Sequence, residues 1–351
     1  TAVIGTVSGT TITFGAEYLF ASRIVWSVAI SFDPSTAGKF VVIFKDGSNA
    51  SFGTAIVGTI SGATLSFGSM YIFNSANSNN ILVAFDPNTA GKFVIAYSDA
   101  GNADRGTAVI GTVSGTAISF GAEYVFNSGL TFEPSVSFDP NTSGKFVVAY
   151  RDNGNSGYGT AVIGTVSGTA ISFGAEYVFD INYPDHISVA FDPNTAGKFV
   201  VVHRDGTNMY GKLLVGTVSG TIISFGSAIV YNTSQSDFNS VSFDPSAPGK
   251  FVVAYSDANL TGAAILGQSA ATIQVTNLTT TNFLGTSTEA YTNAETATIA
   301  IQGGLSTNQT GLTIGSTYYV QPAGTLATTA GTPPVVAGKA LSTTTLLLKD
   351  L

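Results

Sequence analysis

The stretch FDPNTSGKFVVAYRD, Phe138–Asp152, decides the fold, because close copies of it begin at Phe32, Phe85, Phe191 and Phe243. A second element, GT(V/I)SG, begins at Gly5, Gly58, Gly111, Gly164 and Gly216, so the units are 53, 53, 53 and 52 residues apart. The longer run GTVSGTAISFGAEYVF stands unchanged at 111–126 and 164–179. Each unit divides into four strand-like runs, which in the third unit are PSVSFD, KFVVAYRD, GTAVIGTVSG and TAISFGAEYVF, here strands a to d. Short antiparallel strands in fours, recurring at roughly 50 residues, are the sequence mark of propeller blades.

The residue pattern agrees with that reading. Strand b is apolar on both faces, with Phe146, Val148 and Tyr150 on one and Val147 and Ala149 on the other. Such a strand belongs to a sheet sandwiched between two neighbours. Strand a keeps a small residue before its Phe (Ser31, Ala84, Ser137, Ala190, Ser242), which suits the innermost strand. A solenoid is the rival, but solenoids have shorter repeats and distinct caps. The expected fold is all-β: a five-bladed β-propeller over 1–266, then a small β-sandwich or barrel domain over 269–351. Residues 1–20 supply a c and a d strand, and about 240–256 an a and a b, so the two termini are expected to complete one blade and latch the ring. One segment competes with this. GAAILG (262–267) resembles a strand c of its own, which would make Thr1–Gly5 redundant or imply further blades upstream. The chain opens in mid-repeat, so a longer N-terminal part is expected.

Composition narrows the function classes. Charged residues are 10% of the 351, the net charge is −8, and Lys and Arg are dispersed. Nucleic-acid binding needs a basic stripe, which is lacking. With no cysteine, disulfides and thiolate chemistry are excluded. No apolar run reaches the ~20 residues of a membrane helix, so no membrane insertion is expected.

The FDP(N/S)xxGK segment reads as the a–b turn. Asp accepts hydrogen bonds from the backbone ahead, Pro fixes φ, and Gly takes the left-handed position. A calcium loop needs several alternating oxygen ligands, and here one Asp is followed by Pro. Asp33, Asp86, Asp139, Asp192 and Asp244 are therefore scaffold, and neither metal nor cofactor is expected.

The opposite face carries the loops that differ between copies. The d–a loops share almost nothing and hold Trp26, Phe132, Glu133, Tyr183, Asp185, His186 and Phe238. The b–c loops open on Asp46, Asp99, Asp152, Asp205 and Asp257; Asn49, Asn102, Asn155 and Asn208 follow, then the variable Phe52, Arg105, Tyr158 and Tyr210. An Asx-turn is favoured for the Asp; the Asn is open between turn and ligand contact. Varied aromatics and polar groups on a rigid scaffold point to recognition. Catalysis is not expected. Glu17, Glu123 and Glu176 read as solvated strand positions, and Glu133, Asp185 and Asp237 are unpaired in sequence. His203 reads as packing, and no nucleophile elbow, zinc motif or phosphate loop is present.

With these motifs in hand, the chain resembles the tail-fibre and virion structural proteins of marine bacteriophages, which carry tandem FDPNTxGKFVVAYRD…GTVSGT-ISFG blades. The resemblance extends into GLTIGSTYYVQPAGTL (311–326) and VVAGKALSTTTLLLK (335–349), which look like the β module that ends many phage fibre and decoration proteins. It implies an extracellular location on the virion surface and loops that bind host cell-surface glycans. It also implies a C-terminal domain that contacts other virion proteins or sister chains in a homo-oligomer. A decoration or filament-forming subunit is the second reading, and a polysaccharide-degrading propeller the third.

Overall fold

The computed structural model describes residues 1–268 and, beyond them, 285–287, 299–301, 305–307, 309–320, 326–330 and 335–348. The chain divides into two units, Thr1–Ser269 and Ala270–Leu351. The described residues form no α-helix; the chain is all-β apart from two single 3-10 turns.

In the first unit a hairpin of β1 (Ala2–Ser8) and β2 (Thr11–Tyr18) precedes the repeats. Repeat I is β3 (Val25–Phe32), β4 (Lys39–Asp46), β5 (Phe52–Ser61) and the first half of β6 (Thr64–Phe85). The second half of β6 opens repeat II, which continues through β7 (Lys92–Asp99), β8 (Arg105–Ser114) and the first half of β9 (Ala117–Phe138). Repeat III follows with the rest of β9, β10 (Lys145–Asp152), β11 (Tyr158–Ser167), β12 (Ala170–Phe173) and β13 (Tyr177–Asp180). Repeat IV is β14 (Asp185–Phe191), β15 (Lys198–Arg204), β16 (Tyr210–Ser219), β17 (Ile222–Phe225) and β18 (Ile229–Gln235). Repeat V has three strands, β19 (Asp237–Phe243), β20 (Lys250–Ser256) and β21 (Gly262–Gln268). Every pairing within the repeats is antiparallel; strand d is split in repeats III and IV, so β11 pairs with both β12 and β13 and β16 with both β17 and β18.

Two features of the repeat explain its fixed residues. In the turn, Oδ1 of Asp33, Asp86, Asp139, Asp192 and Asp244 accepts from the N–H two residues on, at 2.8–2.9 Å. The turn glycine sits at φ between 67° and 71°. The same turn reaches the next repeat: Gly197 N donates to Asp139 Oδ2 at 3.2 Å, and Asn141 Nδ2 to the Asp192 and Pro193 carbonyls at 3.3 Å. The repeated FDP segment is scaffold within and between repeats. The glycine that opens GTVSG has a different cause. A Cβ on Gly58, Gly111, Gly164, Gly216 or Gly267 would lie 2.1–2.2 Å from the ring of Phe40, Phe93, Phe146, Phe199 or Phe251. The strand-b Phe crosses that backbone and leaves no room for a side chain.

The core lies between sheets. Val41 and Ile43 pack on Phe93, Ile95 and Tyr97; Val94 and Ala96 on Phe146, Val148 and Tyr150; Val147 and Ala149 on Phe199 and Val201; Val200 and Val202 on Phe251 and Val253. Strand b of repeats I to IV is therefore buried on both faces, and each large side chain so placed contributes about 1.5–3 kcal/mol.

The terminal strands do not complete a shared blade, which corrects the expected latch. The place beside β20 is taken by β21, with Phe251 opposite Gly267, and β1 pairs with β2 alone. β21 reaches β20 through a tight local turn, closed by Asp257 N to Thr261 O at 2.9 Å. β1 would have to close a loop of most of the unit, at a higher entropic cost. The β1–β2 hairpin instead packs Ala2, Ile4 and Tyr18 toward Phe40, Val42 and Phe44 of repeat I. Beyond that cover, β3 at one end and β20–β21 at the other stay open. Phe32 is 52% exposed, whereas Phe85, Phe138 and Phe191 at the same place are 5–6% exposed. Val252 is 46% exposed, and its equivalents Val41, Val94, Val147 and Val200 are at 0%.

In the second unit, Leu305–Ser306, Thr317–Val320, Leu326–Ala327, Val335–Ala340 and Leu346–Leu348 form one antiparallel sheet. Leu312, Tyr318, Val320, Ala337, Ala340, Leu346 and Leu348 make its core.

Candidate functional site

Each inner strand begins with a β-bulge. Register shifts fall between Trp26 and Ala29, Asn79 and Leu82, Asp185 and Ser188, and Asp237 and Ser240; in repeat III the matching shift spans Phe132 to Ser135. The first bulge residue is Ser27, Asn80, Glu133, His186 or Phe238, and all five have φ between 49° and 53°. Non-glycine residues seldom adopt this conformation, and a bulge re-aims the side chain it carries. Five different side chains are thus turned the same way at one place in the repeat. They line one cavity of about 380 Å³ together with Val28, Ile81, Leu82, Pro134, Ile187 and Asn239.

Hydrogen bonds and ion pairs tie the rim together. Glu133 Oε2 accepts from the His186 backbone N–H. The His186 ring stacks on Phe238 at 4.9 Å between centroids, and its Nε2 lies 3.4 Å from Asp237 Oδ1. Arg204 bridges Asp237 and, at 2.8 Å, Asp185; Asp185 also pairs with Arg151. Burial would push the Asp237 carboxyl up, but Gln235, Arg204 and His186 outweigh it and hold it below 3.8.

Outside this cavity the candidates divide into two groups. At the boundary of repeats III and IV, Arg151 lies between the rings of Phe132 (5.0 Å) and Tyr183 (4.6 Å), and Tyr183 OH accepts from Asn153 Nδ2 at 3.1 Å. Trp26 is half exposed, with Lys45 Nζ 5.7 Å from its ring. The b–c loop residues form the second group. Asp46, Asp99, Asp152, Asp205 and Asp257 each accept from the N–H two residues on, at 2.8–3.1 Å, so they make Asx-turns. Asn208 Oδ1 caps Tyr210 N–H at 2.9 Å, and Asn102 Oδ1 accepts from Arg105 at 3.3 Å, which makes both local turn contacts. Asn49 contributes backbone bonds to Asp46 and Phe52, Asn155 is exposed, and Tyr158 is half-buried. None of Asn49, Asn102, Arg105, Asn155, Tyr158, Asn208 or Tyr210 lines the cavity. Of the sequence candidates, Glu133, His186 and Phe238 do, and Asp185 supports them through Arg204. Ser27 and Asn80 were missed because small polar loop residues carry no sequence signal; only their 53-residue equivalence to Glu133 marks them.

Glu123 and Glu176 are exposed, as expected for solvated strand positions, and each also takes a hydrogen bond from a buried tyrosine. Glu123 accepts from Tyr97 OH at 2.6 Å and Glu176 from Tyr150 OH at 2.9 Å. Burial, with the carboxylate beside each phenol, raises both tyrosines far above their ordinary value. His203, in the same strand position, pairs instead with Asp180 at 2.8 Å. Among the described residues no group of three or more His, Asp or Glu side chains converges as a metal site.

No family model matches the chain. No curated protein matches it either. Among solved structures it is similar to the BP39L lectin of Burkholderia pseudomallei, at 12% identity and TM-score 0.54, over 73% of this chain and 72% of that one. A lectin from the fungus Aleuria aurantia, described as a six-bladed β-propeller with fucose recognition, is 11% identical at TM-score 0.49, over 74% and 82%. The NanB sialidase of Streptococcus pneumoniae is 12% identical at TM-score 0.46, over 70% of this chain and 42% of that one. The chain spans less than half the length of that sialidase. At such identities the likeness to the BP39L lectin is one of fold.

Proposed function

We propose that the chain is a propeller-type carbohydrate-binding protein whose variable loop face recognises glycans without cleaving them. The observation that supports it most is the set of five equivalent bulges, which turn five unlike side chains into one cavity on an otherwise repetitive scaffold. A repeat that needed the bulge only for its fold would tolerate one side chain throughout. Concave sites lined by apolar side chains and a few polar groups are typical of small-molecule recognition. The fold it shares with the BP39L lectin is consistent with this reading. The phage resemblance extends it: the glycans belong to a host cell surface, the protein sits on a virion, and the second unit joins it to other virion proteins or sister chains. The test is a glycan array with the full chain, followed by Phe238→Ala in the cavity and Tyr183→Ala on the same loop face. Binding weakened by either variant, with no release of reducing ends, is the expected result. Absence of binding to every saccharide class, or release of reducing ends, overturns it.

A further inference from the structure

We infer that the gap between repeats V and I is a docking site for one more antiparallel strand pair of the a–b kind, which adds to the free edge of β1 and completes a blade there. The β1–β2 hairpin is already half of such a blade. β1 carries AVIGTVS (2–8), the same seven residues as strand c at 108–114 and 161–167. It pairs with β2 in the register of β8 with β9, Gly5 facing Phe14 as Gly111 faces Phe120. Phe20, just beyond β2, meets Phe44 at 5.6 Å and Phe67 at 6.0 Å. Its counterpart Phe73 meets Tyr97 and Phe120 of repeat II at 5.3 and 6.0 Å. The hairpin thus stands on repeat I where strands c and d of a preceding repeat would stand. What it lacks is strand b. β5, β8, β11 and β16 each pair with a strand b along one edge, whereas β1 pairs with β2 alone. Phe67, Phe120, Phe173 and Phe225 each lie 5.8–6.2 Å from a strand-b Phe. Phe14, at the same place, is 71% exposed.

The walls of the gap are unfilled in the same way. Ser27 of repeat I and Phe238 of repeat V line one axial cavity, so the open faces behind them flank a single gap. Val28, Ile30 and Phe32 are half exposed on one wall. On the other, Leu266 is 70% exposed where its counterparts Val57, Ile110 and Ile163 are at 0%. Polar groups repeat the pattern. The a–b pair of repeat III holds repeat IV by accepting the Val189 N–H on Ser135 Oγ at 3.1 Å and the Phe191 N–H on Ser137 Oγ at 3.2 Å. Its Lys145 Nζ donates to the Gly220 carbonyl. The counterparts on repeat I are the Ile30 and Phe32 N–H groups and the Gly62 carbonyl; among the described residues no side chain bonds any of them. A free strand edge between apolar walls is the setting for strand addition, in which main-chain bonds hold the incoming strand and alternate side chains select it. The strand beside β1 must be apolar on both faces and carry a Phe to cross Gly5. Its partner must carry serines toward Ile30 and Phe32. Residues 134–152, PSVSFDPNTSGKFVVAYRD, meet each requirement through Ser135, Ser137, Lys145 and Phe146.

The test adds a synthetic peptide of residues 134–152 to the full chain. Binding is followed by calorimetry and by the fluorescence of Trp26, the one tryptophan, which lies on β3. Saturable binding of one peptide per chain is expected, with slowed amide exchange in β1 and β3. Phe146→Ala in the peptide should weaken binding at least about 10-fold. Gly5→Ala in the chain should do the same yet leave the free chain's thermal unfolding unchanged. Its Cβ meets only the Phe14 and Ile12 side chains, at 3.3 Å or more, until a Phe crosses it. As a covalent form of the test, residues 134–159 fused ahead of Thr1 reproduce the spacing from strand b to strand c. That fusion should unfold about 5 °C or more above the chain itself. No peptide binding together with an unchanged unfolding temperature overturns the docking site. Peptide binding that Gly5→Ala leaves intact also overturns it, because the strand then adds at another edge. Self-association of the chain in sedimentation that the peptide cannot compete away gives the gap to a second copy and overturns the a–b pair as its occupant.

Discussion

Lys212 is the residue that distinguishes repeat IV from its neighbours. In repeats II and III the buried polar centre is neutral on one side: Asn74 donates to Asp99 and Asn127 to Asp152, each at 2.9 Å. The position opposite strand b's aromatic is Thr107 or Thr160. In repeat IV Asp180 replaces the Asn and Lys212 the Thr, and Lys212 bonds Asp205 and lies 3.5 Å from Asp180. The two changes are electrically coupled. Burial would push both carboxyls up. For Asp180, His203, the Asn182 N–H and Lys212 outweigh it; for Asp205, Lys212 and the Thr207 and Asn208 N–H groups do, so both lie below 3.8. Burial would lower Lys212, but Asp205 and Asp180 raise it above 10.5. The carboxylates' contribution to stability is therefore present above pH 3.8 and lost as pH falls through their lower folded values. That of Lys212 is complete below pH 10.5 and lost as pH rises through its higher folded value. Lys212→Thr removes the cation shared by the two carboxylates, and we expect it to cost about 3 kcal/mol at pH 7 in urea unfolding. The loss should shrink toward pH 4, and adding Asp180→Asn should recover most of it. Additive losses in the double variant would show that the two positions are not coupled.

At the scale of the element, the Gly–Phe crossing fixes where strands b and c meet. Gly111→Ala would drive Phe93 off its rotamer, and since the ring is fully buried we expect a loss of about 1–3 kcal/mol in thermal or urea unfolding. Val113→Ala, on a partly buried position of the same strand, should cost less; an equal cost would show that the crossing is not the constraint. This crossing also shows what the sequence made legible. The b–c pairing, the Asp-Pro turn and the two-faced strand b repeat with fixed spacing, so period and residue type expose them. The tyrosine–glutamate pairs were hidden, because Glu123 and Glu176 are solvated and only the tertiary packing brings the hydroxyls of Tyr97 and Tyr150 to them. The internal copies held the clue: Phe44 and His203 replace the tyrosine where Met70 and Ala228 replace the glutamate. Tyr97→Phe with Glu123→Met should accordingly cost less than the sum of the single changes, by about 1 kcal/mol; strict additivity in a double-mutant cycle would deny the pair. The cavity was legible only in part. Variation picked out Glu133, His186 and Phe238, whereas the bulge that aims them depends on register, and residue type does not report register.

For the first unit as a whole, the open end faces decide how stability is distributed. A stacked-sheet repeat array is stabilised by interfaces between neighbours, so its ends are its weakest parts. Repeats II to IV have a neighbour on both sides, while β3 shows Val28, Ile30 and Phe32 to solvent and β20–β21 show Val252 and Leu266. Phe138→Ala should cost about 3–5 kcal/mol, as expected for a buried phenylalanine. Phe32→Ala, at the same place in the repeat but half exposed, should cost about 1 kcal/mol or less. Hydrogen exchange should follow the same gradient, with β7, β10 and β15 protected longest and β1, β2 and β21 exchanging first. The comparison is decisive because the two phenylalanines have the same local sequence and differ in what covers them. If Phe32→Ala cost as much as Phe138→Ala, and β3 exchanged as slowly as the second half of β9, the first repeat's end face would be covered in solution, and the open arrangement of the terminal repeats would be wrong.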